Sequence, residues 1–221
     1  MVLDPFEIMM HTCTKCKDLE VGTAIQYYPI ISFGDPKNKP VIVVGLNPST
    51  REYEDHYVSK SQSIEERHES QMNYFKKKPY TFFKHVMKYF QNPVRDKLGW
   101  KRTPWEKVGY LDIVKCPVRM HPHASSQWGS LSKSQREEII INCSPYLFMQ
   151  LDRLQPKLVM AYGADVCRWF YPDYSSDDAF TVKKCNIFDR MNVKVVLVPQ
   201  TRGSHPQHII DTVKARISEN L

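Results

Sequence analysis

Val41–Val44, Val108–Val114, Leu158–Tyr162 and Val193–Val198 are short apolar runs, rich in β-branched residues and set far apart along the chain. Runs of this kind read as strands buried on both faces of a sheet. Between them the periodicity changes. Tyr80–Phe90 carries Phe82, Phe83, Val86, Met87 and Phe90 at helical spacing. Ile139–Leu154 repeats that pattern behind Ser132 and Gln135, which stand at capping-box spacing. Pro145 lies inside this stretch and predicts a kink or a fresh helix start after Cys143. Ala164–Phe170 and a last segment from about Pro206 to Ile217 complete the helices, with Ser204 and Gln207 at a second capping-box spacing. Strands alternating with helices imply an α/β fold with a mostly parallel four-stranded sheet covered on both faces. Ligands of such sheets bind at the carboxyl ends of the strands, so the residues just after each run are the first candidates for a site.

The 221 residues suit one domain, and no linker divides them. Two stretches break the alternation. Arg51–Lys78 is polar and charged, and Arg119–Lys133 is rich in small polar residues with His121, His123 and Trp128. Both read as surface insertions, near 51–79 and 119–133, the first partly helical. No apolar run is long enough to span a bilayer. The N-terminus lacks a basic segment followed by an apolar one, which predicts an intracellular, cytoplasmic protein. In a reducing compartment the six cysteines are expected to be ligands or buried thiols, not disulfides. The formal charge of +7 and pI near 9.0 favour a polyanionic partner over a membrane, because Lys and Arg contacts to phosphates release counterions.

Cys13 and Cys16 form a C-x-x-C pair, whose side chains can converge on one point. A zinc ribbon would bring a second such pair. Here Cys116 and Cys143 stand alone, and only the fold could unite them. Thiolates suit zinc and iron–sulfur clusters alike. Spacing leaves both open, together with simple burial of the thiols. Cys116-Pro117 resembles the cysteine-proline end of a ferredoxin run. Cys167 falls on a predicted helix and reads as core.

Gly45-Leu46-Asn47-Pro48-Ser49 follows the first run, and Pro-Gln-Thr-Arg-Gly-Ser-His-Pro ends at His205 and Pro206 after the last. Together these segments resemble the two active-site motifs of the uracil-DNA glycosylase superfamily, in the right order and at the right strand ends. Tyr110 to Cys116 and Cys143 to Gly163 are similar to the iron–sulfur, family 4-like branch, over nearly the whole chain apart from the insertions. The resemblance implies a three-layer α/β/α sandwich. It makes Cys13, Cys16, Cys116 and Cys143 the expected ligands of a [4Fe–4S] cluster. It implies a monomer that flips a base out of DNA, single-stranded or damaged duplex, and cleaves its N-glycosidic bond. By match to the motifs, Asn47 would hold the attacking water and His205 would support the leaving base. Tyr80 would stack on the base, backbone amides near Leu46 would touch it, and Ser49 would receive a phosphate.

The chain departs from the family 4 pattern at four points. The loop before His205 is a few residues longer. Gln207 stands where a small residue usually follows His-Pro. The first motif is closer to branches with a catalytic asparagine. Asp112 stands where asparagine is expected. An asparagine would donate to uracil O4 and accept from N3–H, whereas an ionised aspartate only accepts. A protonated Asp112 suits cytosine or another amino-bearing base better than uracil. Three functions remain in view: a glycosylase for a deaminated or modified base, a non-catalytic or trapping DNA or RNA binder on the same scaffold, and a cluster-bearing enzyme of unrelated chemistry.

Overall fold

The computed structural model describes residues 3–16, 29–46, 63–76, 81–116, 128, 131–187, 191–199 and 205–221. Strands β1 (Val41–Gly45), β2 (Val108–Asp112), β3 (Leu158–Tyr162), β4 (Val182–Ile187) and β5 (Met191–Val198) form one sheet in the order β2-β1-β3-β5-β4. β2, β1, β3 and β5 run parallel, and β4 pairs antiparallel with β5. The expected four-stranded sheet therefore has five strands. β4 escapes a hydrophobicity reading because it is an edge: Val182-Lys-Lys-Cys-Asn-Ile is only half apolar, and its buried positions are Cys185 and Ile187.

Helices cover both faces. Among the described residues these are α1 (Pro5–His11), α2 (Ile64–Met72), α3 (Thr81–Met87), α4 (Val94–Leu98), α5 (Lys133–Leu154), α6 (Ala164–Phe170) and α7 (Gln207–Glu219). Val41, Val43, Val108, Tyr110, Met160, Tyr162, Val196 and Val198 point to one face, where Phe83, Val86, Tyr89 and the α7 residues Ile210 and Val213 pack on them. Ile42, Val44, Leu111, Val159, Ala161 and Val195 point to the other, against Leu147 and Leu151 of α5 and Val166, Cys167 and Phe170 of α6. This is the three-layer sandwich, and the period-two alternation of strand side chains builds it. Cys167 lies in the core as expected. No described helix is long and apolar enough to cross a membrane.

Two local expectations are corrected. α5 runs through Pro145 without a break. Pro145 faces solvent, so the Ile141 carbonyl that loses its partner can be hydrated. The Ser132–Gln135 capping box sets the start of this helix. The segment before residue 79 is not purely a surface insertion either. Within it Arg67, His68, Gln71 and Tyr74 are buried. Gln71 accepts from the Ile31 N–H at 3.0 Å and donates to the Pro29 carbonyl at 3.2 Å. The segment so anchored lies along the outer edge of β2, where the Ile30 N–H reaches the Lys115 carbonyl and Phe33 bridges Tyr110. It covers an edge that would otherwise present unpaired backbone groups.

Candidate active site

β1 sits in the middle of the parallel strands and ends at Gly45, directly across from Asp112 of β2. Tyr110 and Asp112 are two residues apart on β2 and so share a face with Gly45. Position 45 has no room for a side chain. A Cβ there would overlap the Tyr110 hydroxyl and stand 2.6 Å from Asp112 Oδ1. These two groups close over the strand end, and the Tyr110 hydroxyl donates to Asp112 Oδ1 at 3.2 Å. Asp112 is only 3% exposed. Burial pushes its carboxyl well above the ordinary carboxylate range, against the opposing pull of the Lys115 ammonium and the Tyr110 hydroxyl. Lys115 is buried too. Its ammonium donates to the Asp112 backbone carbonyl, and burial draws its pKa down while Asp112 holds it up.

Leu46 continues the pairing, its carbonyl accepting from the Val114 N–H at 2.9 Å. Its side chain packs on the α5 and α6 side of the sheet, away from Asp112. Only its backbone is left to serve a ligand on the Asp112 face.

His205 stands just ahead of α7 and is 5% exposed. Its Nδ1 lies 2.5 Å from the Tyr89 hydroxyl, and the Tyr89 ring packs edge-on to Tyr162 at the end of β3, with centroids 6.1 Å apart. The Phe180 ring meets the imidazole edge-on, with centroids 5.3 Å apart. Burial lowers the imidazole pKa, and the Pro199 carbonyl opposes that shift. Nε2 is buried, with no hydrogen-bond partner among the described residues.

Phe82 joins the two halves of the site. Its ring packs edge-on to Tyr110 at 5.9 Å and to Tyr162 at 5.5 Å. Asp112 and His205 thus belong to one aromatic-lined end of one sheet face. Phe83, its neighbour, is buried in the core. Asn47, Ser49 and Tyr80 lie outside the described residues. A buried imidazole that favours its neutral form, a buried carboxyl and aromatic walls can bind a flat heterocycle and stabilise negative charge on it.

Tyr110 and Tyr162 were legible as strand residues, but not as residues of this face. Tyr89 was not, since only the tertiary fold brings it to His205. Gly45 carried no signal beyond its place at a strand end.

The four cysteines gather from three directions: the chain after α1, the end of β2, and the middle of α5. Cys16 and Cys143 hydrogen-bond to each other, which lowers the pKa of Cys16 and raises that of Cys143. Cys116 feels Cys13 and Cys16 electrostatically, and burial with these neighbours pushes its thiol up. Tyr146 donates to Cys13 Sγ at 3.3 Å and Asn142 to Cys16 Sγ at 3.6 Å. Among the described residues no three His, Cys, Asp or Glu side chains converge on a single metal ion.

The model of the uracil DNA glycosylase superfamily matches residues 31–215. No curated protein matches the chain.

Proposed function

The chain belongs to the uracil DNA glycosylase superfamily, and we propose that it is a DNA glycosylase that hydrolyses the N-glycosidic bond of a flipped, amino-bearing modified base. The observation that carries this is the pair of buried polar groups, Asp112 and His205, held on one sheet face around the side-chain-free Gly45. The base enters between them, with Phe82 among its walls. As the bond to the sugar breaks, negative charge collects on the base, and His205 Nε2–H donates to the oxygen that bears it. Asn47, by its place in the motif after β1, positions the water that attacks the sugar.

Asp112 selects the base. Tyr110 donates to Oδ1, so Oδ1 acts as the carbonyl and the acid proton resides on Oδ2. Oδ1 accepts from an exocyclic amino group while Oδ2 donates to the neighbouring ring nitrogen. Uracil offers the opposite pattern, and mismatching one buried pair costs about 1–3 kcal/mol. Oligonucleotides carrying uracil, hypoxanthine, xanthine and modified cytosines, treated with alkali after incubation, test this. Wild type should release an amino-bearing base, and Asp112→Asn should release uracil roughly ten- to a hundredfold faster than wild type does. Fast uracil release by wild type, unchanged in Asp112→Asn, overturns the selectivity. Binding without release of any base favours the trapping function.

Cys13, Cys16, Cys116 and Cys143 would hold a [4Fe–4S] cluster. Its contribution would be structural, tying the segment after α1 to the ends of β2 and to α5. The donor set fits: four thiols in one neighbourhood, with Tyr146 and Asn142 hydrogen-bonding to sulfur. Protein purified without air should be brown and carry about four irons per chain. Stoichiometric zinc with no iron would overturn the assignment.

A further inference from the structure

We propose that Phe180 is a positioning residue that holds the His205 imidazole in place and keeps water from it. The antiparallel edge strand brings it there. β4 begins beside the end of β5, so the chain just before Val182 lies at the carboxyl end of the sheet. The pairing at that point is irregular. The Phe180 N–H donates to the Leu197 carbonyl at 2.7 Å, and the Leu197 N–H donates to the Thr181 carbonyl at 3.0 Å. Two residues thus face one residue of β5, which makes a β-bulge. Phe180 is the first of the two, and its φ of +63 is left-handed. Glycine is the usual residue at that place, because a Cβ is disfavoured in this conformation. Glycine would form the same bulge without strain, so it is the ring and not the backbone that calls for phenylalanine here.

That ring meets the His205 imidazole edge-on, with centroids 5.3 Å apart and the planes at 88°. It is half-buried and packs on the sheet face that carries Tyr110 and Tyr162. The Tyr89 hydroxyl holds the imidazole at Nδ1. A hydrogen bond to one ring atom leaves the imidazole free to rock about it, and a packed phenyl ring removes that freedom. The bulge is itself braced. The Thr181 N–H and hydroxyl both donate to the Asp178 carbonyl, at 3.2 and 2.7 Å, and the Asp178 carboxylate pairs with Lys183 at 2.6 Å. Among the described residues, the Tyr89 hydroxyl, the Phe180 ring and the Pro199 carbonyl face the imidazole. On α7, His208 is exposed and Asp211 is held by Gln207 and Lys214. Burial lowers the imidazole pKa, and Phe180 supplies part of that burial. Phe180 acts through His205 and does not have to touch the base. The inference rests on the glycosylase reading for the step that His205 performs.

Phe180→Gly removes the ring and gives the bulge the residue its backbone favours, so the variant should fold. The His205 ring protons, followed by NMR as pH is varied, report on the imidazole directly. In the wild type they should titrate below the ordinary imidazole value of about 6.5. In Phe180→Gly the midpoint should rise towards that value, because water reaching the ring favours its charged form. The low-pH limb of the rate profile should move up with it, and the single-turnover rate on its plateau should fall roughly tenfold. Phe180→Tyr keeps a ring in place and should titrate and react as the wild type does. Unchanged titration of His205 in Phe180→Gly would overturn the proposal, whether or not the rate falls. So would a Phe180→Gly rate equal to that of an active wild type, or a Phe180→Tyr variant as slow as Phe180→Gly. If the titration moves as expected and the wild type releases no base from any oligonucleotide, the positioning role stands and the glycosylase reading fails.

Discussion

Replacing His205 with alanine is expected to lower the single-turnover rate of base release by about 10²–10³, the usual cost of losing one preorganised donor aimed at developing charge. The donor is worth this much because it is dry and already in place. The ring is 5% exposed, held by Tyr89 on one side and Phe180 on another, and nothing needs to reorganise as the bond breaks. Binding to undamaged DNA should change little, since that affinity comes from phosphates and falls steeply with salt. The pH profile gives a second check. Burial disfavours the charged imidazolium, so the neutral donor persists below the ordinary imidazole pKa of about 6.5. The wild-type rate should therefore hold as pH falls through that value and drop only below it. In His205→Ala that low-pH limb should be absent. Full activity of the variant on every base tried would show that the imidazole is not in the active site.

Gly45→Ala adds one methyl group and is expected to reduce activity by at least a hundredfold, as misplacement of reacting groups by about an ångström can. The added Cβ overlaps the Tyr110 hydroxyl and crowds Asp112 Oδ1. The strand cannot back away, because β1 is hydrogen-bonded to β2 on one side and β3 on the other. The side chains must yield instead, which breaks the Tyr110–Asp112 hydrogen bond and displaces the carboxyl that reads the base. Overpacking of this kind also costs about 1–3 kcal/mol of stability. Rate and denaturation midpoint should be measured together. A folded variant with normal midpoint and normal rate would mean that Tyr110 and Asp112 do not close over the strand end.

The parallel strands were legible because each is buried on both faces and spells that burial as an unbroken apolar run. The helices α3, α5, α6 and α7 were legible from their spacing, whereas the short α1 and α4 were not, and Ala164–Phe170 has the limits the sequence implies. β4 was not, because an edge strand needs apolar residues on one face only and β4 carries two lysines and an asparagine. Pro145 misled for a related reason: the cost of proline in a helix depends on whether the orphaned carbonyl meets water, and sequence does not show which side is wet. In the pocket, His205 and Asp112 could be found because each adjoins a strand end or a motif. Tyr89 could not, because its role exists only through a contact 116 residues away in sequence. The gathering of Cys116 and Cys143 with the C-x-x-C pair lay between these extremes: residue type suggested it, and only the fold brings them together.

The strand order has a consequence for how the chain acquires its activity. β1 is synthesised early, yet both of its partners come much later, β2 starting at Val108 and β3 at Leu158. The pocket then waits for His205, near the end of the chain, to meet Tyr89. Contacts of this separation must close long loops before they are rewarded, so the native state should assemble slowly and as a whole. A nascent chain released before residue 205 would present the Gly45 end of the sheet without the His205 imidazole. Docking of α7 against the sheet and the meeting of His205 with Tyr89 are therefore one event.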